Sequence, residues 1–184
     1  MILVLLGTQN NEFKRLLEEI ERNIKIGNII ENVIVQSGFT KYESNNMKII
    51  DMIPKDELIK LVKEANIIIT HGGVGSIQMA LQENKKVIAV PRKSKYGEHV
   101  NDHQSQIVKM FNEKGYLIGI DSVDEIEEAL KKINNFTPIK YEKSESKIIN
   151  IIDNYLSVLL VSDLKSAKSK CPFEIRHQKD KNGM

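Results

Sequence analysis

Two stretches of this chain carry residue types suited to binding an anion and a polyol. The first, ITHGGVGSIQMAL over residues 69–81, runs from an apolar strand-like segment through a glycine-rich turn into a helical pattern. A tight turn needs one or two glycines. Three of them, Gly72, Gly73 and Gly75, imply that something approaches the backbone. A helix starting near Ser76 presents unpaired N–H groups and the positive end of its dipole. The glycines clear side chains from in front of it, and Ser76 can both cap the helix and donate to a phosphate oxygen. That combination suits phosphate or diphosphate. It is neither a P-loop, because no Gly-Lys-Ser/Thr follows, nor a GxGxxG fingerprint. A turn that is merely structural is the competing reading.

The second stretch is PRKSKYGEHVNDHQ, residues 91–104. It gathers Arg92, Lys93, Lys95, Glu98, His99, Asn101, Asp102, His103 and Gln104 into one loop and helix start. Carboxylate, amide and imidazole groups at this density match the paired donors and acceptors of sugar hydroxyls. Asn101 or Asp102 can also cap the following helix, which accounts for one polar residue of the set. His99 and His103 lie four apart, yet no HExxH or other metal-ligand spacing accompanies them, and no metal is expected.

Both stretches need a scaffold that brings them together. Apolar runs over Ile2–Leu6, Val33–Gln36, Lys48–Ile53, Ile67–Thr70, Val87–Val90 and Tyr116–Ile120 read as strands. Between them, helical spacing recurs from Phe13 to Ile24, from Pro54 to Ala65, from Ser76 to Gln82, from Asn101 to Lys114 and from Val123 to Ile133. Strands alternating with helices predict an α/β fold, a Rossmann-like parallel sheet covered on both faces. Ligands then bind at the carboxyl ends of the strands. Gly7-Thr8-Gln9, Gln36-Ser37-Gly38, His71–Ser76 and Arg92–Gln104 would share that rim.

Composition narrows the class. The 184 residues suffice for one domain with a core and are too few for two full α/β domains. A formal net charge of +2 gives no basis for nucleic-acid binding. The one cysteine, Cys171, permits no internal disulfide and fits a reducing compartment. The start, MILVLLGTQNNEF, lacks a basic region and its apolar run stops at Gly7, so it reads as a buried strand rather than a signal peptide. No stretch is long and apolar enough to span a bilayer. We divide the chain into a domain over residues 1–162 and a basic tail over 163–184. Within the domain, a wide apolar stripe over residues 148–162 reads as a last helix, docked on the sheet or on a partner. The tail reads as a flexible end, or as one held near anionic headgroups.

In this order, the two clusters resemble the C-terminal domain of glycosyltransferase family 28, the nucleotide-sugar-binding half of a GT-B enzyme. The matching residues are Gly7-Thr8, Gln36-Ser-Gly38, His71-Gly-Gly-Val-Gly-Ser76, Val90-Pro-Arg92, Glu98-His-Val-Asn-Asp-His-Gln104 and Gly115-Tyr-Leu117. The likeness extends over roughly residues 1–155 and is strongest to stand-alone members. These are the catalytic subunit of the eukaryotic dolichol-linked UDP-GlcNAc transferase and, still more alike, the bacterial PssE-type subunits of capsule and exopolysaccharide synthesis.

The resemblance implies a two-protein enzyme. This chain would hold a UDP-sugar, with no further cofactor. A membrane-attached partner would hold a lipid-linked saccharide acceptor, which places the chain in the cytoplasm, peripheral at the inner face of the plasma membrane. Gly73, Gly75 and Ser76 would face the donor diphosphate, with Gly7 and Thr8 across the cleft, Ser37 and Gly38 on the same rim and His71 beside the phosphates. Asn101, Asp102, His103 and Gln104 would face the sugar. Arg92 would balance phosphate charge or pair with Glu98. One position departs from the pattern: Met79 stands where many members carry a ribose-holding glutamate, with Gln78, Gln82 or Glu83 nearby to compensate.

The reaction expected is inverting transfer of a hexose to an acceptor hydroxyl. It requires stabilisation of the leaving UDP and a general base. Glu98, His99, Asp102 and His103 are the base candidates, and the partner is another source. A nucleotide-sugar-binding regulatory subunit is the non-enzymatic alternative. A two-domain epimerase of GT-B architecture fits the length poorly.

Overall fold

The structure, a computed structural model, describes residues 1–142. The expected helix over 148–162 and the basic tail lie outside the described residues. Six strands form one parallel sheet in the order β3-β2-β1-β4-β5-β6: β1 Ile2–Leu5, β2 Val33–Gln36, β3 Met47–Ile50, β4 Ile67–His71, β5 Lys86–Val90 and β6 Ile118–Gly119. Five helices connect them: α1 Lys14–Lys25, α2 Lys55–Glu64, α3 Val74–Gln82, α4 His103–Glu113 and α5 Ile126–Ile133.

Continuous apolar strands follow from burial on both faces. Ile2, Val4, Ile69, Ile88 and Val90 enter a core shared with Leu16, Leu17 and Ile20 of α1 and Ile126, Ala129 and Ile133 of α5. The alternate positions Leu3, Leu5, Ile68, Val87 and Ala89 are buried as well, on the face where α3 and α4 pack. The sheet is therefore a three-layer α/β sandwich, as the alternation predicts.

Chain order reverses between β1 and β4, which are adjacent although far apart in sequence. β1 leads outward to β2 and β3, and β4 leads outward to β5 and β6. The loops leaving β1 and β4 thus diverge and open a crevice at their carboxyl ends, the place where sheets of this kind bind ligands. Leu5 pairs with Gln36 on one side and with Thr70 on the other, so Gly7, Ser37 and His71 emerge side by side.

Several boundaries differ from expectation. α3 begins at Val74, with Gly73 as its N-cap in an extended conformation and no side-chain cap bond. Ser76 consequently lies inside the first turn and is not the cap. α4 begins at His103 rather than Asn101. β6 keeps only Ile118–Gly119 because, as an edge strand, it pairs with β5 alone at Ile88 and Ala89. The helix predicted from Val123 to Ile133 opens with a 3-10 turn over Val123–Glu125, fixed by a reciprocal bond pair between Ser122 and Glu125.

Candidate functional site

A cleft of about 320 Å³ opens at the reversal point. One wall is Gly7 and Thr8 from the β1–α1 loop; the floor is His71 and Gly73; the α3 turn contributes Gly75, Ser76 and Met79; Met52, Ile53 and Leu58 close the far side. Its volume falls at the low end of the range of small-molecule sites. The inner end carries backbone N–H groups of a helix start and the Ser76 hydroxyl, a set that attracts anions. The outer end is apolar. Met52, Ile53 and Leu58 were legible only as strand or helix positions. Nothing local in the sequence marks them as cleft residues.

The three glycines serve different ends. A Cβ on Gly72 would lie 2.7 Å from Cβ of Gln104 and 3.0 Å from Val108, so Gly72 lets α4 pack close and does not line the cleft. A Cβ on Gly73 would collide with the His71 ring. Among the described residues, a Cβ on Gly75 meets nothing within 4 Å, and Gly75 is exposed. Gly75 is therefore the glycine of the three that no described neighbour requires.

Gly7 is held in a left-handed conformation, φ +74°, with the His71 ring where its side chain would stand. The Gln36 amide clamps the same residue: Gly7 N–H donates to Gln36 Oε1 at 3.1 Å, and Gln36 Nε2 donates back to the Gly7 carbonyl at 2.9 Å. Gly38, at φ +62°, leaves room for that carbonyl. Ser37 is buried and its hydroxyl donates to Asp51 at 3.1 Å. Ser37 and Gly38 thus shape the rim and do not line the cleft.

His71 is buried between Gly7 and Gly73. Nδ1 lies 3.1 Å from the Leu5 carbonyl, so it carries the proton and donates, leaving the lone pair on Nε2. Burial pushes its pKa down to about 4; the Leu5 bond opposes this, and the charges of Arg92 and His99 add to it. Between an ordinary histidine value and 4, the unfolded chain binds a proton that the folded chain refuses. This contribution to stability is complete above about pH 6.5 and is lost as pH falls through 4. We expect acidification from pH 7 to 4 to cost up to about 3 kcal/mol through this group. Urea unfolding of the parent and His71→Gln across that range measures it, and the variant should show the shallower pH slope.

The 91–104 cluster is spent largely on itself and on the β1–α1 loop. Arg92 is fully buried. Its guanidinium donates to the carbonyls of Leu6 (2.8 Å), Glu98 (3.2 Å) and Asn11, and lies 5.3 Å from the Phe13 ring centroid. It does not line the cleft, and it meets Glu98 through that residue's carbonyl rather than its carboxylate: this cation binds main chain. Glu98 is buried too, gripped by Arg15 through both carboxylate oxygens at 2.5 and 3.0 Å and by the Lys93 N–H at 2.9 Å. A carboxylate so occupied is a poor general base. Gln104 Oε1 accepts the Arg92 N–H at 3.1 Å. Asp102 accepts the Ser94 N–H at 2.8 Å, a bond that holds its carboxyl below the usual range, and Asn101 accepts the His103 N–H at 3.2 Å. None of these residues lines the cleft.

The two histidines differ. His99 Nδ1 accepts the Asn101 N–H at 3.2 Å, which places its own proton on Nε2. His103 Nδ1 lies 3.4 Å from Gln106 Oε1, an acceptor, which leaves the lone pair on Nε2. Of the four base candidates, His103 keeps a lone pair on Nε2, and Asp102, whose Oδ1 takes the Ser94 N–H, keeps its Oδ2 free among the described residues. Among the described residues, no three His, Cys, Asp or Glu side chains converge to hold a metal, and no helix is long and apolar enough to cross a membrane.

A family model described as the glycosyltransferase family 28 C-terminal domain matches residues 1–157. The chain belongs to that family. Among curated proteins, this family 28 domain is 28% identical over 126 residues to the UDP-N-acetylglucosamine transferase subunit ALG13 of Candida glabrata, covering 68% of this chain and 54% of that protein. The chain thus spans about half the length of that relative. Among solved structures, an NMR structure of ALG13 superposes with a TM-score of 0.53 at 19% identity, covering 80% of this chain and 93% of that one. The UDP-GlcNAc 2-epimerase of Methanocaldococcus jannaschii superposes with a TM-score of 0.51 at 20% identity, over 83% of this chain and 45% of that one. At these identities the structures establish the fold, the C-terminal half of the GT-B architecture, which transferases and an epimerase share.

Proposed function

We propose that this chain is the donor-binding catalytic subunit of a two-component inverting glycosyltransferase. It moves a hexose from a UDP-sugar to a polyprenyl-linked saccharide in capsule or exopolysaccharide synthesis. A membrane-attached partner supplies the acceptor half and holds this chain at the cytoplasmic face of the membrane. The observation that carries the reading is Gly75, bare at the start of α3, where a Cβ would meet nothing within 4 Å among the described residues. The diphosphate lies there, on the N–H groups of the α3 turn and the Ser76 hydroxyl. These donors also stabilise UDP as it departs. The nucleoside extends toward Met52, Ile53, Leu58 and Met79, whose surface suits a base better than ribose hydroxyls. The relative named as a transferase subunit supports both the UDP-sugar class and the need for a partner.

His103, through Nε2, and Asp102, through Oδ2, are the base candidates of this chain whose bonding leaves a lone pair. The rival reading, a binding subunit whose partner performs the chemistry, draws on the occupied state of Glu98. Turnover by the complex with His103→Ala and with Asp102→Asn separates them: loss in either supports this chain as catalyst, and unchanged turnover in both supports the rival.

The test of donor binding is a thermal-shift panel of UDP, UDP-glucose, UDP-galactose, UDP-GlcNAc and ADP-glucose on the chain and on its complex. A ligand at 100 times its Kd adds about 2.7 kcal/mol, enough to move the midpoint by several degrees. A shift with a UDP-sugar exceeding that with UDP names the donor. No shift with any ligand, in either sample, removes the proposal.

A further inference from the structure

Arg15 sits in the first turn of α1, outside every motif identified in the sequence. Its Nε and Nη2 grip both oxygens of Glu98 at 2.5 and 3.0 Å, and Nη2 also donates to the Pro91 carbonyl at 3.3 Å. The guanidinium is stacked between two rings, 5.2 Å from the Phe13 centroid and 4.6 Å from that of Tyr96. Both charged side chains are largely withdrawn from water, with 18% and 6% exposure. A bidentate, sandwiched arginine in this setting fixes geometry as well as charge.

The same two loops are fastened at further points. Asn11 Nδ2 donates to the Gly97 carbonyl at 2.7 Å, and Arg92 bridges the carbonyls of Asn11 and Glu98. Glu98 in turn takes the Lys93 N–H at 2.9 Å, closing the 3-10 turn over Ser94–Tyr96 and the left-handed Gly97. Immediately after this buckle come His99, Asn101, Asp102 and His103. The β1–α1 loop at the other end of it carries Gly7 and Thr8, one wall of the cleft. The Arg15–Glu98 pair therefore joins the loop that bounds the nucleotide cleft to the loop that carries the polar groups.

We propose that Arg15 is a positioning residue: its grip on Glu98 sets the distance between the diphosphate cleft and the His99–His103 segment, and with it the placement of the donor sugar. This rests on the donor-binding reading above. Neither Arg15 nor Glu98 lines the cleft, so UDP itself should bind without them. The sugar and the transfer step should not tolerate their loss, because a displacement of about 1 Å in a reacting group costs roughly 100-fold in rate.

The experiment compares Arg15→Met, Arg15→Lys, Glu98→Gln and the double variant Arg15→Met/Glu98→Gln with the parent. Calorimetry measures UDP and the UDP-sugar identified by the panel, turnover is measured in the complex, and amide hydrogen exchange is followed over residues 93–102 and 74–82. The expected result is UDP affinity within about twofold of the parent, and turnover lowered roughly 100-fold in Arg15→Met and less in Arg15→Lys. The double variant should be no worse than the worse single one, and exchange should quicken in 93–102 but not in 74–82. Equal losses of UDP and UDP-sugar affinity, additive single effects, or exchange that quickens throughout the domain would overturn the proposal. The exchange and its non-additivity need no nucleotide. A parent that fails to bind UDP therefore defeats the donor-binding reading, while quickened exchange confined to 93–102 still reports the buckle.

Discussion

Gly75→Asp is expected to leave the fold as stable as the parent, or slightly more so, and to weaken UDP binding by at least about 100-fold. The two effects have opposite signs for separate reasons. A Cβ at this position meets no atom of the described residues within 4 Å, and Gly75 is exposed, so an aspartate can turn toward solvent. Replacing glycine in a helical turn recovers some tenths of a kcal/mol of backbone entropy. An aspartate in the first turn of α3 also faces the positive end of the dipole, worth about 0.3–1 kcal/mol. A diphosphate at the same place meets a fixed negative charge. At about 4 Å near a protein surface, that repulsion is on the order of 4 kcal/mol, more than 100-fold in affinity. Urea unfolding and calorimetry with UDP read the two quantities. Unchanged UDP affinity would put the diphosphate somewhere other than the α3 turn. Gly73→Ala is the instructive contrast, since its Cβ collides with the His71 ring and stability and binding should fall together.

The layout of the sheet was legible because a parallel strand buried on both faces must be a continuous apolar run, and ILVL, VIVQ and IIITH are such runs between amphipathic helices. The order of β1 and β4, hence the place of the crevice, was not legible: alternation and right-handed crossovers allow more than one strand order, and the pairing of β1 with β4 settles it. The start of α3 was misplaced because Ser76 is the residue type that most often caps, whereas the cap is Gly73, whose extended backbone does that work without a side chain. The glycine run was legible as a feature but not in its parts. Which glycine makes room for Gln104, which for His71 and which for no described neighbour depends on contacts between distant segments. Arg92 and Glu98 show the same limit more sharply. In the polar stretch 91–104, Arg92 reads as a partner of phosphate or of Glu98, and Glu98 as a base candidate. Their partners are Leu6, Asn11 and Arg15, more than 75 residues away, and only the fold reveals that these charges are consumed.

Arg92→Met should therefore behave as a core mutation and not as a binding-site mutation. The guanidinium is charged at neutral pH, since burial lowers its pKa to about 10, an effect the nearby Glu98 charge opposes. It serves carbonyls on three segments: Leu6 at the end of β1, Asn11 in the following loop and Glu98 beyond the 3-10 turn. Methionine fills much of the volume against Phe13 but leaves those oxygens without donors. Breaking one member of such a buried charged network costs about 3–5 kcal/mol. That is a large share of the 5–15 kcal/mol by which domains are stable. Arg92→Lys should recover less than half of the loss, because an ammonium lacks the planar fork that reaches carbonyls in different directions. Urea unfolding of the three proteins measures this. If Arg92 instead neutralised a bound diphosphate, Arg92→Met would stay within about 0.5 kcal/mol of the parent in stability and lose UDP affinity. A stability loss of several kcal/mol, with UDP affinity retained in the fraction that remains folded, identifies the buried guanidinium as the keystone between the two loops that frame the cleft.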